Sequence, residues 1–202
     1  MGKRESVQKL FLVLLLLSSS EVLRGQERDH QDGFFLRLSA GVGFSNTKLS
    51  SNGSPSKMSG ETADVNFAIG GIVSPNLALH ATLYGWLIQD PDVEVAGVNE
   101  KANGDLDLSA FGVGLTYYFM PSNIYISGSL GLGKLSSEEL AAVGETKEYP
   151  VFDLTVGKEW WVGSSWGLGM AGAIIYHSLP EKNSDGSWSG LSLAVHFTAT
   201  LN

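Results

Sequence analysis

The sequence of 202 residues contains no cysteine. That excludes disulfides, thiolate metal sites, a cysteine nucleophile and a lipid anchor on an N-terminal cysteine. Charge is sparse as well. Asp, Glu, Lys and Arg make up 17% of the chain, against ~25% in an average soluble domain. Basic residues are the scarcer sign, 13 against 21 acidic, for a formal net charge of −8. A chain of that charge is not built to bind nucleic acid by neutralising phosphates. Long apolar runs are lacking too. The longest, Leu10–Leu17 (LFLVLLLL), is too short to cross ~30 Å of hydrocarbon as a helix. Any membrane span in the rest of the chain must therefore be made of strands closed into a barrel.

The short apolar run sits where an export signal would. Lys3, Arg4 and Lys9 precede or border it, and Ser18, Ser19 and Ser20 follow. A positive segment, an apolar core and small residues make a secretory signal peptide, assigned to residues 1–25. Cleavage after Ser20 and after Gly25 are both compatible with the pattern. Removal of 1–25 takes away four basic and two acidic residues and leaves a mature chain of net charge −10. Residues 26–32, with His30, then form a periplasmic tail, and 33–202 form one domain.

What the chain does have is glycine, 25 residues of it, and alternation. Apolar and small or polar residues exchange with a period of two along eight segments, the mark of strands with one apolar face. Phe34, Leu36, Leu38, Ala40, Val42 and Phe44 oppose Phe35, Arg37, Ser39, Gly41 and Gly43. Leu191, Leu193, Val195, Phe197 and Leu201 oppose Ser192, Ala194, His196, Thr198 and Thr200. The fourth segment, 105–119, changes phase between Leu108 and Phe111, which predicts a β-bulge near Ser109–Ala110. The seventh turns apolar on both faces at Ile174–Ile175.

The connections alternate in length. Ser74-Pro75-Asn76, Met120-Pro121-Ser122 and Val162-Gly163-Ser164-Ser165 are tight-turn sequences. The stretches 45–61, 89–104, 136–148 and 179–187 are long and polar. In an up-and-down barrel this puts every long loop at one end and every short turn at the other. Aromatic residues fall into two bands. Phe34, Phe35, Tyr117, Tyr118, Phe119, Tyr125, Trp160, Trp161, Trp166 and Phe197 lie toward the turns. Phe44, Tyr84, Trp86, Tyr149, Phe152, Tyr176 and Trp188 lie toward the loops. Of these, Tyr117, Phe119, Trp160, Trp161, Trp166 and Phe197 are expected at a bilayer interface, where amphipathic rings gather. The fold class is all-β, an eight-stranded antiparallel up-and-down transmembrane β-barrel.

Eight strands enclose an interior just wide enough for side chains to fill. The less apolar faces place Arg37, Asp64, His80, Asp153, Glu159 and His196 inside, as a structural polar network. Arg37 is expected to bond Asp64, Asp153 or Glu159, because a buried charge needs a partner. His80 and His196 read as interior histidines, since a metal site requires three or four converging ligands. Asp90, Asp92 and Glu94 form a solvated acidic loop, spaced also as oxygen ligands to a cation would be. The serine-rich stretch 50–59 reads as a mobile loop tip, and 137–142 as one helical turn. No catalytic residue, cofactor site or metal site is assigned.

Taken together, these strands, turns and loops resemble the small OmpA/OmpX-type outer-membrane barrels. The segment Gly157–Gly169 is similar to strand–turn–strand segments of uncharacterised outer-membrane barrel proteins. The last strand, Val195–Asn202, is similar to the terminal strand read by the barrel assembly machinery, although it ends in Asn rather than an aromatic. The resemblance implies a monomer in the outer membrane of a Gram-negative cell, in contact with lipid and lipopolysaccharide, porin-like in architecture but without an open pore. It implies a structural or surface-interaction role through four external loops, and no enzymatic activity. Two other readings stand beside it. In a lipid-modifying outer-membrane enzyme, a His-x-Ser pair would serve; here His177 and Ser178 are adjacent and point to opposite faces. A soluble lipocalin-like binder of an apolar ligand would carry its apolar faces inside.

Overall fold

The computed structural model describes residues 30, 33–50, 56–95, 97–137, 146–182 and 185–202. Ten strands run through them: β1 (Phe34–Ser50), β2 (Ser56–Ser74), β3 (Leu77–Gln89), β4 (Asp92–Val95), β5 (Val98–Lys101), β6 (Asp105–Phe119), β7 (Ile124–Ser136), β8 (Tyr149–Trp161), β9 (Trp166–Pro180) and β10 (Ser187–Leu201). Eight of them pair antiparallel in a closed ring, in the order β1, β2, β3, β6, β7, β8, β9, β10. The pairing of β1 with both β2 and β10 closes it. Closure leaves no edge with unpaired backbone, which is what a strand-built structure needs in lipid. The short strands β4 and β5 form a hairpin outside the ring, attached where Ser56–Ser59 of β2 pair with Asp92–Val95 of β4.

The period-two pattern sets which face is which. On β7, Tyr125, Ser127, Ser129, Gly131 and Gly133 are buried inside, while Ile124, Ile126, Leu130 and Leu132 are exposed outside. The other ring strands repeat this, so Val42, Val65, Leu83, Val113, Leu154, Val156, Leu193 and Val195 all stand on the outer surface. Apolar residues out and polar residues in is the reverse of a lipocalin-like binder.

Three expectations change. Residues 105–119 carry no bulge. β6 keeps one continuous register with β3 and with β7 through Ser109 and Ala110. Leu106 and Leu108 point inward because the interior itself turns apolar at the loop end, so the phase change records what fills the barrel. The register shift lies in β2 instead, between Ile72 and Ser74. The stretch 45–61 is not all loop. β1 runs to Ser50 and β2 starts at Ser56, so Ser50, Ser56 and Ser59 are strand residues, and Ser51 and Ser54 lie outside the described residues. Part of 89–104 is the β4–β5 hairpin. The ring strands, 13 to 19 residues long, are longer than the ~9–11 residues that cross a bilayer at a tilt. The helical turn expected at 137–142 lies outside the described residues except for Ser137.

Candidate functional site

The interior is layered. At the loop end a cluster of Met58, Tyr84, Trp86, Ile88, Leu106, Leu108, Leu135, Val151, Ile175, Leu179 and Trp188 fills the barrel. This explains the both-faces-apolar sequence at Ile174–Ile175, because Ile175 and Leu179 belong to that cluster. Trp188 is fully buried, and its Nε1–H donates to Glu181 Oε1 at 3.0 Å. His177 is buried within the cluster, between Ile175 and Leu179 on β9 and beside Trp86, with Nε2 2.6 Å from Thr47 Oγ1. Ser178 lies on the other face of β9, so the two do not form a base and nucleophile.

Below the apolar cluster the lumen is polar. Arg37, Asp64, His80, Asp153, Glu159 and His196 are all buried, but they do not form one ionic cluster. Arg37 has no carboxylate within ion-pair distance among the described residues, contrary to the pairing expected with Asp64, Asp153 or Glu159. Its Nη2 donates to Ser127 Oγ at 2.8 Å, and its guanidinium lies 4.6 Å from the Tyr125 ring centroid and 5.7 Å from that of Phe35. Aromatic faces replace a carboxylate, since a guanidinium is weakly hydrated and stacks well on them. Tyr125 in turn lies on Gly157, where an added Cβ would come within 2.6 Å of the ring. Only a glycine lets the ring lie that close to the strand.

Of the other members, His80, Glu159, Asp153 and Asp64 are held by neutral neighbours. His80 Nε2 lies 3.0 Å from Thr116 Oγ1, which donates to Ser127 Oγ at 2.8 Å. Glu159 accepts from Thr200 at 2.6 Å and from Tyr118 at 3.3 Å. Asp153 accepts from Asn66 Nδ2 and from Thr155 at 3.4 Å, and Asp64 accepts from Thr62. His196 and Asp64 flank Gly41 on the neighbouring strands. Threonine and serine recur because a short side chain with one donor satisfies a carboxylate without filling a narrow lumen.

The turn end is closed by a residue the sequence placed in the N-terminal periplasmic tail. His30 is fully buried. Its ring stacks on Tyr118 at 3.8 Å and sits 5.1 Å from Trp161. Its Nδ1 lies 2.8 Å from Asn202 Oδ1 and its Nε2 3.1 Å from Asn123 Oδ1, and its backbone N–H donates to Asn76 Oδ1 at 3.0 Å. Asn76 and Asn123 occupy the β2–β3 and β6–β7 turns with φ of 63° and 51°, a conformation asparagine tolerates better than most residues. Asn76 belongs to a turn legible in the sequence, whereas Asn123 falls just past the Met120-Pro121-Ser122 turn, and nothing in the sequence connects either to His30.

Trp161, expected at the lipid interface, faces this plug. Tyr117, Phe119, Trp166 and Phe197 are exposed on the outer wall, and Trp160 is half-buried with Lys158 Nζ 5.7 Å from its ring. Phe35, Tyr118 and Tyr125 of the turn-side aromatic band point inward, as does Trp188 of the loop-side band. The acidic loop is divided by its hairpin. Asp90 Oδ1 accepts from the Gly104 N–H at 3.1 Å, and Glu94 forms an ion pair with Lys57 at 2.9 Å.

No protein-family model and no curated protein matches the chain. Among solved structures it is similar to the outer membrane protein OprG from Pseudomonas aeruginosa, at 12% identity and a TM-score of 0.55, over 88% of this chain and 99% of that one. It is also similar to the outer membrane protein AlkL, determined in lipid bilayers, at 13% identity and a TM-score of 0.53, over 91% of this chain and 97% of that one. At such identity the likeness is one of fold. With its closed ring of eight antiparallel strands, apolar outside and polar inside, the chain has the fold of the small outer-membrane β-barrels.

Proposed function

We propose that this protein is an integral outer-membrane barrel with a sealed lumen, whose role is structural or surface-interacting and is exerted through the loops at one end. The observation that carries the reading is the distribution of polarity. Exposed Val, Leu, Ile and Phe side chains encircle the ring, while Arg37, Asp64, Asp153 and Glu159 are buried inside it. An apolar patch of that extent is unstable in water and suits hydrocarbon. The sealing rests on two plugs, the apolar cluster at the loop end and His30 at the turn end. On this reading residues 1–25 direct export, the barrel assembly machinery inserts the chain as a monomer, and lipid and lipopolysaccharide surround it. Asp64, Asp153, Glu159, His80 and His177 are each engaged by a threonine hydroxyl rather than grouped as acid, base and nucleophile, which favours a non-enzymatic role.

The test is a semi-native gel of the mature chain with and without boiling, followed by conductance in planar bilayers. A heat-dependent mobility shift, insolubility without detergent and no steady conductance are expected. A chain that stays soluble and monomeric in buffer overturns the membrane reading, and a steady open conductance overturns the sealed lumen.

A further inference from the structure

Outside the ring, the β4–β5 hairpin leaves a groove of about 1040 Å³ between itself and the loop-side ends of β1, β2 and β3. The groove exists because β2 changes partners. From Ala63 toward the turn it pairs with β3, and over Ser56–Ser59 it pairs with β4. Residues 60–62 are left between the two pairings, and they line the floor. The foot of the groove is apolar. Val42, Ala63 and Leu87 form one row across three strands, continuous with the lipid-facing belt, and Phe44 stands exposed beside them. The rim is polar, made by Glu61, Gln89, Asp90, Asp92 and Lys101.

Two features of the rim select an occupant. Three carboxylates against one ammonium repel an anionic headgroup. Asp92 and Lys101 stand opposite each other across the hairpin yet form no ion pair, so an acceptor and a donor face the groove together. Carboxylate and amide oxygens that accept, an ammonium that donates and an aromatic face at the boundary form a set that hydroxyl groups satisfy. We propose that this groove seats a glycolipid, an amphiphile with an uncharged, hydroxyl-rich head at the rim and a hydrocarbon chain along Val42, Ala63 and Leu87. The proposal rests on the membrane-barrel reading.

The experiment uses the mature chain folded in dodecylphosphocholine micelles and isotope-labelled for backbone amide spectra. It is titrated with decyl maltoside, decyl phosphate and decyltrimethylammonium, which share one chain length. The maltoside is expected to move the amides of residues 60–63 and 98–101 saturably, with an affinity about fivefold or more above either charged probe. The double variant Glu61→Gln with Asp92→Asn is expected to weaken maltoside binding about fivefold while keeping its heat-dependent gel shift. A variant with residues 92–101 replaced by a short glycine-serine turn is expected to lose the response altogether, its ring still closed. Equal responses to the three probes, shifts spread around the whole belt, or preference for a charged head would overturn the glycolipid site and leave the barrel standing. A chain that needs no detergent would overturn both.

Discussion

Arg37 shows how one residue shapes a narrow lumen. A buried cation without a carboxylate is costly, and here the Tyr125 and Phe35 rings and one serine hydroxyl carry it. Such stacking contributes about 2 kcal/mol when desolvated. The ring is thus the part of Tyr125 that matters. Tyr125→Phe is expected to keep the denaturant midpoint of the folded barrel, and Tyr125→Leu to lose about 2 kcal/mol, both measured by urea titration of the gel-shifted species. Equal loss in both variants would show that the hydroxyl, not the ring, supports Arg37. Gly157 belongs to the same stack, because a side chain there would displace the ring.

Among the elements, His30, the residue described from the tail, does the work of a stopper. It ties together the β2–β3 turn, the β6–β7 turn and the end of β10. Two side-chain hydrogen bonds and one stacked ring are together worth about 2–3 kcal/mol. His30→Ala is expected to lower stability by about that amount and to leave the ring intact, read as a lower urea midpoint with an unchanged heat-dependent gel shift. An unchanged midpoint would mean that the plug rests on the turns without holding them. The β4–β5 hairpin is the opposite kind of element, since ring closure passes from β2 to β3 without it.

The whole molecule is defined by what surrounds it. Val113 on β6 and Val98 in the hairpin are exposed to nearly the same degree, 62% and 59%, so in water arginine would cost little at either. In a bilayer they part company. Val113→Arg is expected to cost about 2–4 kcal/mol, as a cation on the lipid-facing wall does near the midplane, and Val98→Arg almost nothing. Folding titrations into lipid vesicles separate the two, and equal small effects would argue against a membrane.

The sequence by itself determined the eight ring strands, the alternation of long and short connections and, outside β6, which residues share a face, because a two-residue period and turn chemistry are local properties. It also placed Arg37, Asp64, His80, Asp153, Glu159 and His196 on the inward face. The tertiary structure decided which groups meet. Arg37 reaches Tyr125 and Ser127 across the lumen, His30 finds three asparagines up to 172 positions away, and Leu106 and Leu108 turn inward without a bulge. Such contacts depend on ring closure and on the height of each strand in the barrel, and pairing between distant strands leaves no periodic trace in the chain. The same holds for the groove beside the hairpin, which arises where β2 exchanges one partner for another.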